Sequence, residues 1–148
     1  MNRENIYAAL FALWGNDPVL APMLVTKSRL LLHWDDVTSA QCPALFQVQG
    51  NEDPMYASID LPPKWKLNPQ IYVYVDTSGA SDRIPSVVMN PVLDAIFNAL
   101  ENAKSKISNR LTLGEQALQC RIGHIETDEG VLGTKGVAIF TLELTTVE

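Results

Sequence analysis

The residues best suited to chemistry lie together at His33-Trp34-Asp35-Asp36, where an imidazole and two carboxylates could hold a divalent metal or move protons. A metal-dependent hydrolase built on His33, Asp35 and Asp36 would need further ligands. His124, Glu126 or Asp128 could supply them, but the spacing matches no metal motif. Within a strand His33 and Asp35 share one face and Trp34 the other, so a strand ending in a polar turn accounts for the same residues. A serine or cysteine nucleophile is poorly served, because the chain has two histidines and no Gly-x-Ser-x-Gly elbow. No Gly-x-Gly-x-x-Gly segment or phosphate-binding Gly-Lys-Thr occurs. Gly133-Thr134-Lys135-Gly136 lacks the preceding glycine and the following helix of a phosphate loop and reads as a hairpin turn. Cys42 and Cys120 are too few and too far apart for a disulfide framework or a zinc motif, and read as reduced, mostly buried thiols. No catalytic residue, metal or cofactor is expected.

Other residues suit contact better than catalysis. Glu126, Asp128 and Glu129 form the densest negative run, which fits a solvated face, an interface or a surface that faces nucleic acid without gripping it. Glu52 and Asp53 precede Met55 and Tyr56, adaptable contact residues beside a proline.

These groups sit in a chain of 148 residues with 11 basic and 17 acidic side chains, net charge −6, 47% hydrophobic and 19% charged. That length suits one domain spanning 1–148, and the apolar content excludes disorder as the main state. Ordinary soluble domains carry about 25% charged residues, so the shortfall suggests surface covered by another protein. The basic residues closest together, Lys104, Lys106 and Arg110, are too few for a tight grip on phosphates. The polar start Met1-Asn2-Arg3-Glu4-Asn5 is not a signal peptide, and no apolar run approaches the roughly 20 residues of a membrane span. A soluble protein made in the cytosol, with no membrane partner, is expected.

Hydrophobic spacing places the elements. Residues 3–14 carry Ile6, Tyr7, Leu10, Phe11, Leu13 and Trp14 on one helical face, stopped by Gly15-Asn16-Asp17-Pro18. Alternation predicts strands over 27–34 and 43–49, then a long polar loop over 50–62 and a strand over 65–75. Asn68-Pro69 inside that strand implies a bulge or an edge position. Residues 76–89 read as a loop ending at Asn90-Pro91, which starts a second helix with Leu93, Ile96, Phe97 and Leu100 buried. A strand near 118–125, bulged at Gly123, and a strand over 135–145 form a hairpin. The order α-β-β-β-α-β-β predicts an α+β fold, a mostly antiparallel five-stranded sheet with two helices packed on one face.

The segments Asn5-Ile6-Tyr7-Ala8-Ala9-Leu10-Phe11, His33-Trp34-Asp35-Asp36-Val37, Pro43-Ala44-Leu45-Phe46, Tyr72-Val73-Tyr74-Val75, Asn90-Pro91-Val92-Leu93-Asp94-Ala95-Ile96 and Ile125-Glu126-Thr127-Asp128-Glu129-Gly130 together resemble tail terminator, or tail-completion, proteins of tailed bacteriophages and prophages. The resemblance covers nearly the whole chain and is structural rather than catalytic. It implies a non-enzymatic virion protein at the neck of the tail, assembled in the host cytoplasm. Such subunits form a homohexameric ring that caps the tail tube, stops its polymerisation and joins the head completion protein, with DNA passing through. Partners would be other copies of the chain, the tube protein and the head-side connector. A head-side connector subunit is the alternative role. Glu52, Asp53, Met55, Tyr56, Glu126, Asp128 and Glu129 are then candidates for the interfaces or the lumen, where carboxylates would let DNA slide.

Overall fold

The computed structural model describes residues 1–79, 84–129 and 133–147, with Glu129 described by its backbone alone. Helix α1, Arg3–Asn16, is capped by Asn2, whose side-chain oxygen accepts the Asn5 N–H at 3.1 Å. It ends at Asp17, whose carboxylate then accepts the N–H groups of Val19 and Leu20 and opens a single extra turn, α2, Leu20–Met23. Strand β1, Thr26–Ser28, is followed by two short 3-10 turns, Trp34–Asp36 and Ser39–Gln41. Strands β2, Ala44–Met55, and β3, Lys64–Asp76, form a long hairpin. Helix α3, Pro85–Asn102, leads to β4, Gln119–Glu129, and β5, Lys135–Val147. The sheet order is β1-β2-β3-β5-β4, antiparallel except for the short β1–β2 pair. The expected α+β class, five strands and two long helices are all present.

Both long helices cover one face of the sheet. Ile6, Tyr7, Leu10 and Trp14 of α1 and Met89, Val92, Ile96 and Leu100 of α3 meet Leu45, Leu67, Ile71, Val73, Phe140, Leu142 and Leu144 in one core. A buried amide ties α1 to the sheet: the Gln47 side chain accepts from Trp14 Nε1 at 2.9 Å and donates to the Tyr7 carbonyl at 2.8 Å. Satisfying both ends matters because an unpaired buried amide costs about 1–3 kcal/mol.

Several expected boundaries move. Of the strand foreseen over 27–34 only Lys27 and Ser28 pair with β2, together with Thr26 before them. A parallel pair obliges the chain to return to the same end of the sheet, and the residues after Ser28 do so across its second face. There Leu32, Trp34, Val37 and Cys42 pack on Ala44, Phe46, Tyr72, Tyr74, Val137 and Ile139. The loop foreseen over 50–62 shrinks to 56–63, because polar residues 51–55 continue the β2 ladder past a register shift between Val48 and Asn51. The expected bulge therefore lies on β2, opposite Asn68-Pro69, while β3 keeps constant register against β5 and is central rather than an edge. Pro69 offers no N–H, so the mismatch is absorbed by the partner strand. In β4–β5 the shift falls between Ile122 and His124, at Gly123 as expected. Helix α3 begins at Pro85, not at Asn90-Pro91; the same proline start signal occurs earlier, and the added turns bury Met89. With that frame the buried face is Met89, Val92, Ala95, Ile96, Ala99 and Leu100, and Phe97 falls at its margin, 49% exposed.

The rest of the second face is polar. Glu143 of β5 accepts from Lys66 of β3 at 2.9 Å and from Arg121 of β4 at 2.9 and 2.6 Å, which holds its carboxyl below the ordinary carboxylate range. A carboxylate whose pKa is depressed on folding adds stability above its unfolded pKa and loses it as pH falls through the folded value. Glu143→Gln should therefore lower stability at neutral pH and flatten its decline below about pH 4, as read by urea titrations across pH; an unchanged acid limb would show that this ion triad contributes nothing.

Gly50 adopts φ +71°, and a Cβ there would lie 2.0 Å from the Asn68 carbonyl oxygen. Gly114 has φ +67° with open space around it. Gly114→Ala should cost only the left-handed strain, about 1–2 kcal/mol. Gly50→Ala adds a backbone clash and should cost clearly more in chemical denaturation; equal losses at the two sites would mean that the bulge relaxes freely.

Candidate functional site

Two surface features stand out from the fold, and they occupy opposite ends of the sheet. The first is the tip of the β2–β3 hairpin, an apolar finger. Met55 is 39% exposed, Tyr56 69%, Ile59 98% and Leu61 57%. The strands end there because Pro62-Pro63 cannot extend the ladder. Contiguous exposed apolar side chains of this size usually mark a contact surface.

The second is an open groove of about 540 Å³ on the second face, walled by Leu31, Trp34, Tyr72, Tyr74 and Ile139, with Asp128 at its rim. Its wall is the crossing segment, and Lys135 at the start of β5 holds that wall in place. The Lys135 ammonium donates to the carbonyls of Trp34, at 2.8 Å, and Val37, and sits 5.6 Å from the Trp34 ring centroid. Tyr74 donates its hydroxyl to the Leu32 carbonyl at 3.0 Å. At the segment's far end Ser39 Oγ donates to Asp76 at 3.0 Å. Burial pushes the Asp76 carboxyl up, but hydrogen bonds from the Ser78 backbone and from Ser78, Ser39 and Thr134 outweigh it and leave the group below its ordinary value.

The residues singled out from the sequence are distributed over three places. Glu52 does not lie in a polar loop but in β2 on the helix side, where Arg3 Nε donates to it at 2.6 Å and Tyr7 Oη at 3.0 Å. That carboxylate and burial together raise the Tyr7 phenol well above its ordinary range, burial contributing most. Asp53, also in β2, faces the other side and accepts from Asn68 Nδ2 at 3.4 Å. Met55 ends β2 and Tyr56 opens the finger. Glu126 and Asp128 lie in β4, not in a turn, exposed on an edge strand, with His124 Nε2 and Glu126 Oε1 3.2 Å apart. The Glu129 side chain, with Gly130, Val131 and Leu132 of the expected acidic turn, lies outside the described residues.

His33, Asp35 and Asp36 do not converge on a ligand set. His33 precedes a 3-10 turn as its cap, its Nδ1 accepting the Asp35 N–H at 3.3 Å, and its ring lies 5.4 Å from Trp34. Among the described residues no three His, Cys, Asp or Glu side chains are placed to hold a metal ion. Cys120 is buried, which pushes its thiol up to about 12, and burial likewise raises Cys42.

Sequence reasoning passed over Ile59 and Leu61, the apolar tip of a segment that reads as polar, and over Lys135, which looks like a turn residue. The groove did leave a signal. On β5 the face opposite Phe140 runs Val137, Ile139, Thr141, Glu143, apolar at one end and polar at the other, so only that end demanded a cover.

Neither a protein-family model nor a curated protein matches the sequence. Among solved structures the fold is similar to that of a chain in the virion of a native gene transfer agent particle, with TM-score 0.61 over 97% of this chain and 95% of that chain. Their sequences are 13% identical, so the similarity is one of fold.

Hydrogen bonds to a charged donor contribute about 1.5–3 kcal/mol each. Lys135→Met should therefore destabilise the protein by about 2 kcal/mol. It should also speed amide exchange through residues 34–37 and shift Trp fluorescence to the red. Unchanged exchange in that segment would show that the crossing wall stands without the lysine.

Proposed function

We propose that this chain is a non-enzymatic structural protein of a phage-like virion, and within it a tail terminator. The observation that carries the reading is the correspondence of fold, over nearly the full length of both chains, with a subunit of the gene transfer agent virion. Two further features support it. The exposed finger and the groove offer apolar contact surface, and the low charge content leaves apolar surface for neighbours.

Copies of the chain assemble as a homohexameric ring on the last ring of tube protein, at the neck of the tail. The ring occupies the surface on which the next tube ring would add, and closed cyclic symmetry leaves no free end for growth. Its other side meets the head completion complex. Met55 and Tyr56 are candidates for an interface between subunits. Asp53, Glu126 and Glu129 are candidates for a lumen through which DNA passes, since carboxylates repel the phosphate backbone where Lys or Arg would retain it, while Asp128 at the groove is a candidate for an interface. Glu52 is a weaker candidate for that role, because Arg3 already neutralises it.

Tails assembled without this protein should be overlong, and adding it to growing tube protein should arrest elongation and place a ring on one tube end, as seen by negative-stain imaging. Tubes of normal length beside unjoined heads would instead identify a head-side connector. A protein that stays monomeric and never decorates tube ends would overturn the reading.

A further inference from the structure

We propose that the finger of one copy seats in the groove of the next, so that copies of this chain join head to tail; this rests on the ring reading above and specifies its lateral contact. Both features are unpartnered among the described residues, and both are apolar. Ile59, Tyr56 and Leu61 project from the hairpin tip, while Leu31, Trp34, Tyr72 and Ile139 line an opening of about 540 Å³, room for a few side chains.

The two cannot satisfy each other within a chain. The groove lies at the Tyr74 end of β3 and the finger at the Lys64 end, ten residues away in the same strand, about 30 Å at the rise of an extended strand. A protrusion and a recess at opposite ends of one rigid strand make a heterologous contact, the kind that closes into a ring when the rotation per subunit allows.

Charge favours the same pairing. Asp35 and Asp36 stand exposed beside Trp34 and Asp128 stands at the groove's rim, and none has a cation partner among the described residues. Residues 56–64 carry one carboxylate, Asp60, and one ammonium, Lys64, so the finger brings no net negative charge to an acidic mouth. Lys64, opposite Met55 in the ladder, has no carboxylate partner among the described residues and can bring its ammonium to that mouth. Contact between two grooves would bring six carboxylates together, which finger into groove avoids.

The test uses the full chain with Leu31→Cys and Ile59→Cys, both at exposed positions, treated with a short bifunctional thiol linker. Wild type, whose Cys120 is buried and Cys42 half-buried, sets the background. The double variant should give a ladder of covalent multimers from most of the chains. Either single variant alone should match wild type, and a mixture of the two single variants should give dimers and nothing larger. Cross-linking by Ile59→Cys alone would overturn the proposal, because finger tips would then meet each other. A double variant that sizes as a ring yet does not cross-link would overturn it too, while leaving the ring itself intact. A wild-type chain that is monomeric and never found on tube ends would remove both the contact and the function it rests on.

Discussion

Lys135 draws the carbonyls of Trp34 and Val37 onto the second face of the sheet, and the surface of the molecule is organised around that contact. Five strands with two helices on one side leave the other side to be dealt with, and at the Tyr74 end that side is lined by Phe46, Tyr72, Tyr74, Val137 and Ile139. Bare aromatic and aliphatic side chains there would forfeit about 1.5–3 kcal/mol each relative to burial. No helix among the described residues covers them. The chain uses the parallel crossover from β1 to β2 instead, an irregular segment with few backbone bonds of its own, which an ammonium, the Tyr74 hydroxyl and the Ser39–Asp76 pair must hold down.

That solution is incomplete by geometry. A single extended segment covers less width than a helix layer, and the uncovered margin is the groove. Further along the same face the sheet needs no cover, because Lys66, Glu143 and Arg121 close it with a chain of ion pairs across β3, β5 and β4. The edge strand β4 is protected in the same polar manner. Charged Arg121, Glu126 and Asp128 and the bulge at Gly123 discourage a foreign strand from adding to it, so part of the acidic character of β4 has a structural cause independent of any ligand.

The finger has a related origin. Gly50 in a left-handed conformation lets β2 absorb one extra residue opposite Pro69 and continue pairing to Met55, carrying the hairpin well past the point where α1 and the crossover end. The apolar residues of 56–63 are exposed because they form the loop beyond Met55 and Lys64, the last pair of the β2–β3 ladder.

The sequence by itself determined the class of fold, the element order, both helical faces in outline and the bulge at Gly123. These follow from periodicity and from glycine and proline chemistry, which act over a few residues. Tertiary structure alone decided that polar residues 51–55 form a strand, that α3 starts at Pro85, that Leu32 and Trp34 lie across the sheet rather than in it, and that Glu52 is taken up by Arg3 and Tyr7. Each depends on a partner far along the chain: β3 for residues 51–55, the core for Met89, β5 for Trp34 and α1 for Glu52. A local pattern can say that a side chain is apolar or charged. Which surface it meets, and whether anything covers it, is settled by which strands pair and where their register places the ends.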